Sequence, residues 1–330
     1  MKLLQFLGLA TFALGIAAQA SAQTAAISLS IPPTARANGM GEAGVAVADD
    51  ATATWWNPAG LAFQTENDAS FTHAQLVPGL ANDVFYEFPS YTTPISNWGT
   101  FGVSLVYLSY GKSQGADAVG TPLGEFSSSE YAPAISYGTK VTDRLGLGAS
   151  FKYIRVSLSP DFQGIGAGRG STVAADFGLL YKVPGDLVNL AATVQNLGPH
   201  ISFITDQRSD PIFTNLRAGV AVHAYKTKET KLLLVGDVNQ LLVRGELDTG
   251  QRKYPKPIWN GGGELGYNNL IALRAGYVYD SEGSIKDPTY GFGLDYHGIR
   301  FDYGSIPQAK DPDTGTRLDR VNKFSLAYSF

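Results

Sequence analysis

The sequence predicts an all-β protein: a transmembrane antiparallel β-barrel of about fourteen strands, counted from its turns and period-2 segments, with a short N-terminal plug. Three observations carry this. The chain opens on an export signal, yet no later apolar run approaches the roughly 18 residues needed for a membrane helix. From Asp68 onward apolar and polar residues alternate in short segments, the period of a strand with two different faces. The connections between those segments are very short and long in alternation, as in outer-membrane barrels with tight periplasmic turns and longer outer loops.

Residues 1–22 form the expected signal peptide. Lys2 supplies the positive start, residues 3–18 the apolar core, and Ala20-Ser21-Ala22 the small-residue cleavage site. The mature chain then begins at Gln23. With 0 Cys in the chain there is no acceptor for lipid at a new N-terminus, no disulfide framework and no thiolate metal site. Closed barrels and helices are the only structures that span a bilayer, because lipid cannot hydrogen-bond free backbone groups. An exported chain without an apolar helix is therefore secreted, periplasmic or a barrel.

Composition favours the barrel. The chain holds 38 Gly, 17 Tyr and 17 Phe but only 16% charged residues, and its mean hydropathy is −0.05. Water-soluble domains carry about 25% charged residues, so much of this surface is expected not to face water. The net charge of −4 provides no basic footprint for nucleic acid. No linker of disordered composition divides the chain, so one barrel is expected over residues 67–330.

Residues 23–66 read as the plug. Pro32-Pro33 blocks a helix at its start. The Gly/Ala-rich stretch 39–62 is too small-sided to form a core alone and needs walls around it. Within it, residues 46–54 are expected to form a short helix ended by Asn57-Pro58, since the residue before proline avoids the helical region.

The strands follow. Phe324, Leu326, Tyr328 and Phe330 alternate with Lys323, Ser325, Ala327 and Ser329. Further apolar rows run through Leu145, Leu147, Ala149, Phe151 and Tyr153, and through Ile271, Leu273, Ala275, Tyr277 and Tyr279. A soluble sandwich shows similar alternation, so the connections decide. Thr142-Asp143, Pro184-Gly185-Asp186, Asn268-Asn269 and His297-Gly298 are short. Residues 111–128, 158–170, 198–213, 243–256, 280–288 and 305–321 are long. Gly261-Gly262-Gly263 is read as an interruption of a strand, a kink or a close approach of a neighbour.

The phase of the apolar rows sends a second set of residues into the lumen: Lys152, Asp176, Arg217, Asp237, Glu264, Arg274, Asp295, Arg300, Asp302 and Lys323. The signs balance, whereas a selective ion pore carries a ring of one sign. Paired charges bridging wall and plug are the expectation, because buried charges persist only when paired and hydrogen-bonded; a route for a polar substrate is the alternative.

Three motifs lack the context their chemistry requires. Gly39-Met40-Gly41-Glu42-Ala43-Gly44 spells G-x-G-x-x-G without the βαβ unit of a dinucleotide site. Gly111-Lys112-Ser113-Gln114-Gly115 spells G-x-S-x-G without a strand-to-helix elbow, and His73, His200, His223 and His297 have no spacing that fixes a triad. Asp311-Pro312-Asp313-Thr314-Gly315 has the ordinary residues of a turn and lacks the remaining ligands of a calcium loop. No enzyme activity, metal or cofactor is expected.

Trp55-Trp56-Asn57-Pro58-Ala59-Gly60 is different. Adjacent tryptophans cannot share one face of a helix or strand, and a buried indole N–H needs an acceptor. Standing just before the first strand, with Gly39, Gly41, Asp49 and Asp50 upstream, this stretch is expected to dock inside the barrel base.

On these residues the chain resembles two related outer-membrane families. The FadL-type fatty-acid transporters share an acidic-Ala stretch running into Asn-Pro-Ala-Gly. The PorV/PorQ family, associated with type IX secretion, is similar over Ala35-Arg36-Ala37, Gly39-Met40-Gly41, Gly44 to Asp50 and Trp56-Asn57-Pro58-Ala59. The resemblance to the second is greater. It implies a FadL-like barrel in the bacterial outer membrane, surrounded by lipid, that is a partner in protein export rather than the large channel. Such proteins engage exported cargo or other secretion machinery, here expected through outer loops 111–128 and 305–321. The FadL likeness implies the alternative, transport of a long-chain fatty acid or another hydrophobic small molecule.

Overall fold

The computed structural model describes residues 24–116, 121–161, 167–203, 209–243, 245–246, 252–283, 285–309 and 319–330. The signal peptide and the Asp311–Gly315 turn lie outside the described residues.

The described residues form eighteen strands. The first seven are β1 (Asp68–Gln75), β2 (Val84–Ile95), β3 (Gly99–Ala116), β4 (Pro122–Lys140), β5 (Leu145–Ser157), β6 (Arg169–Lys182) and β7 (Val188–Leu197). Two-residue strands β8 (Ile201–Ser202) and β9 (Ser209–Asp210) pair with each other in the next connection. Then come β10 (Asn215–Lys226) and β11 (Thr230–Leu241), and a second small ribbon of β12 (Gly245–Glu246) and β13 (Arg252–Lys253). The last five are β14 (Ile258–Tyr267), β15 (Ile271–Asp280), β16 (Ile285–Tyr296), β17 (Ile299–Ile306) and β18 (Val321–Ser329).

The fourteen longer strands close one antiparallel barrel in up-and-down order, β18 meeting β1. Asp68 stands opposite Ser329 and Gln75 opposite Asn322, so the chain's last alternating row completes the wall. Closure removes the sheet edge, which lipid would leave without hydrogen bonds. Among the described residues no helix is long and apolar enough to cross a membrane.

The two faces follow the alternation. Leu147, Phe151, Leu273 and Leu326 are exposed on the outer surface, the apolar band that a bilayer requires. The opposite parity is buried and mixed in character. It carries charges such as Arg217, Asp237, Arg274, Asp302 and Lys323, and on β2, β3 and β5 an apolar patch of Tyr86, Phe88, Val106, Leu108, Ile154 and Val156. Period-2 reading does not reveal this second core, because it continues the same rows that hold Lys152.

Residues 24–66 fill the lumen. A 3-10 turn (Ile27–Ser30) packs under the long-connection end, where the Ala25 N–H donates to the Pro211 carbonyl over 2.9 Å. A helical turn (Ala35–Gly39), a second (Ala53–Trp56) and a 3-10 turn (Pro58–Phe63) lead to the wall. The expected helix over 46–54 is largely absent: turns run to Thr52. The Asp50 carboxylate accepts from the Thr52 N–H over 3.0 Å and from its hydroxyl, and such local acceptors compete with helix formation.

Two further expectations are corrected. Within the expected loop 111–128, residues 111–116 and 122–128 are strand. With 18 and 19 residues, β3 and β4 far exceed the roughly 9–11 that span a membrane, so they rise as a two-stranded ribbon beyond the barrel rim. Lys112 pairs with Ser127 and Gln114 with Glu125 in that ribbon. Nor does Gly261-Gly262-Gly263 interrupt or kink a strand: β14 runs through it in continuous register with β15, and the glycines instead make room for a neighbour, Met40 of the plug, at Gly262.

Candidate functional site: the plug–wall interface

Small residues let the plug approach the wall. On one side Gly138 pairs with Gly148, and Gly148 with Gly178, across β4, β5 and β6. A Cβ at Gly138 would come within 2.5 Å of the Pro58 carbonyl oxygen, closer than packed atoms tolerate. Opposite, Gly262 pairs with Gly276 and Gly291 with Gly304. There a Cβ at Gly262 would come within 2.5 Å of the Met40 carbonyl oxygen. The plug is gripped backbone to backbone from both sides.

Gly39 and Gly41 hold the second contact. Gly41 adopts φ +74°, which favours glycine. Its N–H donates to Thr289 Oγ1 over 2.8 Å, and its carbonyl accepts from Asn260 Nδ2 over 2.6 Å. The Gly39 carbonyl accepts from the Thr289 hydroxyl over 3.2 Å. Asn57 serves the first contact. Its Oδ1 caps the 3-10 turn by accepting from the Ala59 N–H over 3.0 Å. Its Nδ2 donates to the Val45 and Leu179 carbonyls over 3.2 and 3.1 Å, joining plug and β6. Pro58, Ala59 and Gly60 continue that turn, all buried.

Trp55 and Trp56 meet edge to face, 4.8 Å between centroids. Both are buried, and the Arg217 guanidinium lies 5.1 and 5.3 Å from their rings, cation–π geometry. Trp56 Nε1 donates to Thr34 Oγ1 over 3.0 Å. The two indoles leave the helical turn in different directions and are reunited by one cation from β10.

Around Arg36 the charges form a chain of pairs. Arg36 Nε and Nη2 donate to both Glu264 oxygens, each over 3.0 Å, and Nη1 reaches Asp49 at 2.7 Å. Glu264 also meets Arg274 at 2.6 Å, and Arg274 meets Asp302 at 2.7 Å. Arg300 spans Asp302 at 3.3 Å and Asp50 at 2.6 Å. Burial tends to raise the Asp50 pKa, but Arg300 and Arg36 outweigh it and hold the carboxyl below its usual value. Elsewhere Asp237 accepts from the Gly44 and Val45 N–H groups over 2.7 and 3.0 Å. Lys323 donates to the Pro32 carbonyl.

Not every lumen charge touches the plug. Lys152 and Asp176 pair with each other at 2.7 Å and with Asn196, inside the wall. Asp295 forms no ion pair among the described residues and lines a cleft at the short-turn end. The decisive omission from the lumen set is Arg36, which bonds Glu264 but lies on the plug, where strand phase has no meaning. Its signal was a lone cation among small residues in Ala35-Arg36-Ala37. Glu130 was also missed: it accepts from the Ser28 N–H over 2.9 Å and from the Tyr110 hydroxyl over 2.6 Å. Among the described residues no group of three or more His, Asp or Glu is placed to hold a metal.

A closed, lipid-faced fourteen-stranded barrel with its lumen filled by the N-terminal segment is a plugged outer-membrane β-barrel. Solved structures share the fold. A toluene transporter of Pseudomonas putida, TodX, superposes with TM-score 0.59 at 15% identity, over 89% of this chain and 97% of that one. A Pseudomonas aeruginosa FadL homologue gives 0.53 at 15% identity, over 91% and 98%. No curated protein matches the sequence. The profile of the family described as "Type IX secretion system protein PorV" matches residues 16–248. The chain belongs to the PorV family, in the bacterial outer membrane. Its family and fold are those of secretion or transport barrels.

Proposed function

We propose that this protein is a non-enzymatic partner in protein export, holding an exported protein or a larger channel at the cell surface. The observation that carries this reading is the β3–β4 ribbon on a barrel whose lumen is occupied by residues 24–66. Lys112, Gln114 and Glu125 present polar groups there, above a wall gripping its plug through glycine contacts and ion pairs. A rigid scaffold with a raised, paired ribbon suits recognition by added main-chain and side-chain contacts. Connection 305–321 is the second candidate contact. The test is removal of residues 111–128, followed by native extraction and mass spectrometry of what remains bound. Partners are expected to be lost while the barrel still shows its folded migration on gels; unchanged capture would defeat the proposal.

A second reading is transport of a hydrophobic small molecule. It is supported by the similar structures, described as a toluene transporter and a FadL homologue, although likeness at this identity concerns fold. Fatty-acid or toluene uptake that is the same with and without the protein would remove it.

A further inference from the structure

We propose that the periplasmic mouth of the barrel is a binding site for an acidic peptide segment. The mouth holds a cleft of about 460 Å³, whose lining reaches the tight turns at Lys226–Lys231 and Asn269–Ile271 and whose floor includes Phe63 and Asp49 of the plug. Short turns mark the periplasmic side. The volume falls in the range of specific ligand sites, about 300–1,000 Å³.

Its charge is divided. The Arg36, Arg274 and Arg300 side of the cleft is neutralised by Glu264, Asp302, Asp49 and Asp50. The other wall is not. Lys182 and Lys231, which line the cleft, and Lys140, just outside its lining, continue the inward parity of Leu180, Leu233 and Ser136, at or beside the ends of β6, β11 and β4. Lys226 joins them at the end of β10, beside the bulge between His223 and Tyr225. None of these four lysines forms an ion pair among the described residues. Two converge on one ring: Lys182 Nζ lies 4.2 Å and Lys140 Nζ 5.5 Å from the centroid of Phe63. Asp49 and Asp295 line the same cleft but neither pairs with these lysines among the described residues, so an incoming carboxylate would offset the mutual repulsion of the lysines.

A single small anion would meet only one wall. A peptide segment with successive carboxylates would satisfy several lysines, lay its stem on Phe63, and leave its backbone N–H groups to donate to Asp295 across the cleft. The wall strands separate this space from the bilayer, so the ligand enters from the aqueous periplasm. The inference leans on the partner reading above only for the macromolecular nature of the ligand.

The test uses full-length protein in zwitterionic phosphatidylcholine nanodiscs and tetraglutamate carrying an uncharged label, followed by fluorescence anisotropy. Saturable binding that weakens with salt is expected, with tetraglutamine and tetralysine not binding. Lys182→Glu with Lys231→Glu should weaken it by about tenfold or more, by reversal of close charge pairs. The milder pair Lys182→Gln with Lys231→Gln, which spares folding, should give an intermediate loss. Lys112→Glu on the outer ribbon should change nothing. Absence of saturable binding, or equal loss from Lys112→Glu, would overturn the proposal. So would inorganic phosphate competing as well as the peptide, which would mark a single-anion site. Deleting residues 111–128 should leave tetraglutamate affinity intact, so failure here and failure of surface capture are separable.

Discussion

Arg300 Nη2 donates to Asp50 Oδ2 over 2.6 Å, joining a wall strand to a plug residue 250 positions earlier in the chain. Both side chains are largely buried, at 21% and 10% exposure, so neither charge has ready recourse to water. The pair is one of several that determine whether the plug stays seated.

Asp50→Ala should therefore loosen the plug more than Asp50→Ala with Arg300→Ala. Removing one partner of a buried pair costs up to about 3–5 kcal/mol, and less here because Arg300 keeps Asp302 at 3.3 Å. At about 1.4 kcal/mol per factor of ten, the undocked fraction should rise by about tenfold or more. Hydrogen exchange of residues 35–62 measures it. Equal protection in the single and double variants would show that the pair does not hold the plug.

The same carboxylate predicts a direction with pH. Its folded pKa is depressed by Arg300 and Arg36 after the opposing effect of burial. Its contribution is thus fully present above the undocked value, about 3.9 for Asp, and is lost as pH falls through the lower docked value. Plug protection should decline below about pH 4 in the native protein. In Asp50→Asn that part of the decline should be missing.

Gly138→Ala should dislodge the Pro58–Phe63 turn, since the new methyl would come within 2.5 Å of the Pro58 carbonyl oxygen. Overpacking of this kind costs about 1–3 kcal/mol. Ion conductance in planar bilayers should rise from the closed level of the native barrel. A variant that remains closed with an unchanged exchange pattern would show that the wall yields instead.

Trp56→Ala removes a fully buried ring, one face of the Arg217 cradle and the donor to Thr34. A loss of about 3–5 kcal/mol in plug docking is expected. Trp56→Phe, which keeps an aromatic face and drops the N–H, should lose less. The order of the two in urea-dependent exposure of the plug is the measurement.

The sequence by itself determined the barrel. Lipid on one face imposes period 2 wherever a strand spans, and turns separate the strands, so strand number is written in local pattern. It also marked the plug motif, since Trp-Trp-Asn-Pro-Ala-Gly has no amphipathic reading. What only the tertiary structure decided is which inward charges meet. Phase sends Glu264, Arg274 and Asp302 inward, but their third dimension is set by plug residue Arg36, whose partners no spacing predicts. Phase equally placed Lys152 and Asp176 inside without showing that they pair with each other. Along a single strand the glycines of β4, β5, β6 and β14 show only the absence of a side chain. They become docking surfaces once closure aligns them and the N-terminal segment lies across them. Burial against solvent is a local property of a strand, whereas electrostatic pairing and backbone contact depend on distances that exist only after the barrel has closed around its plug.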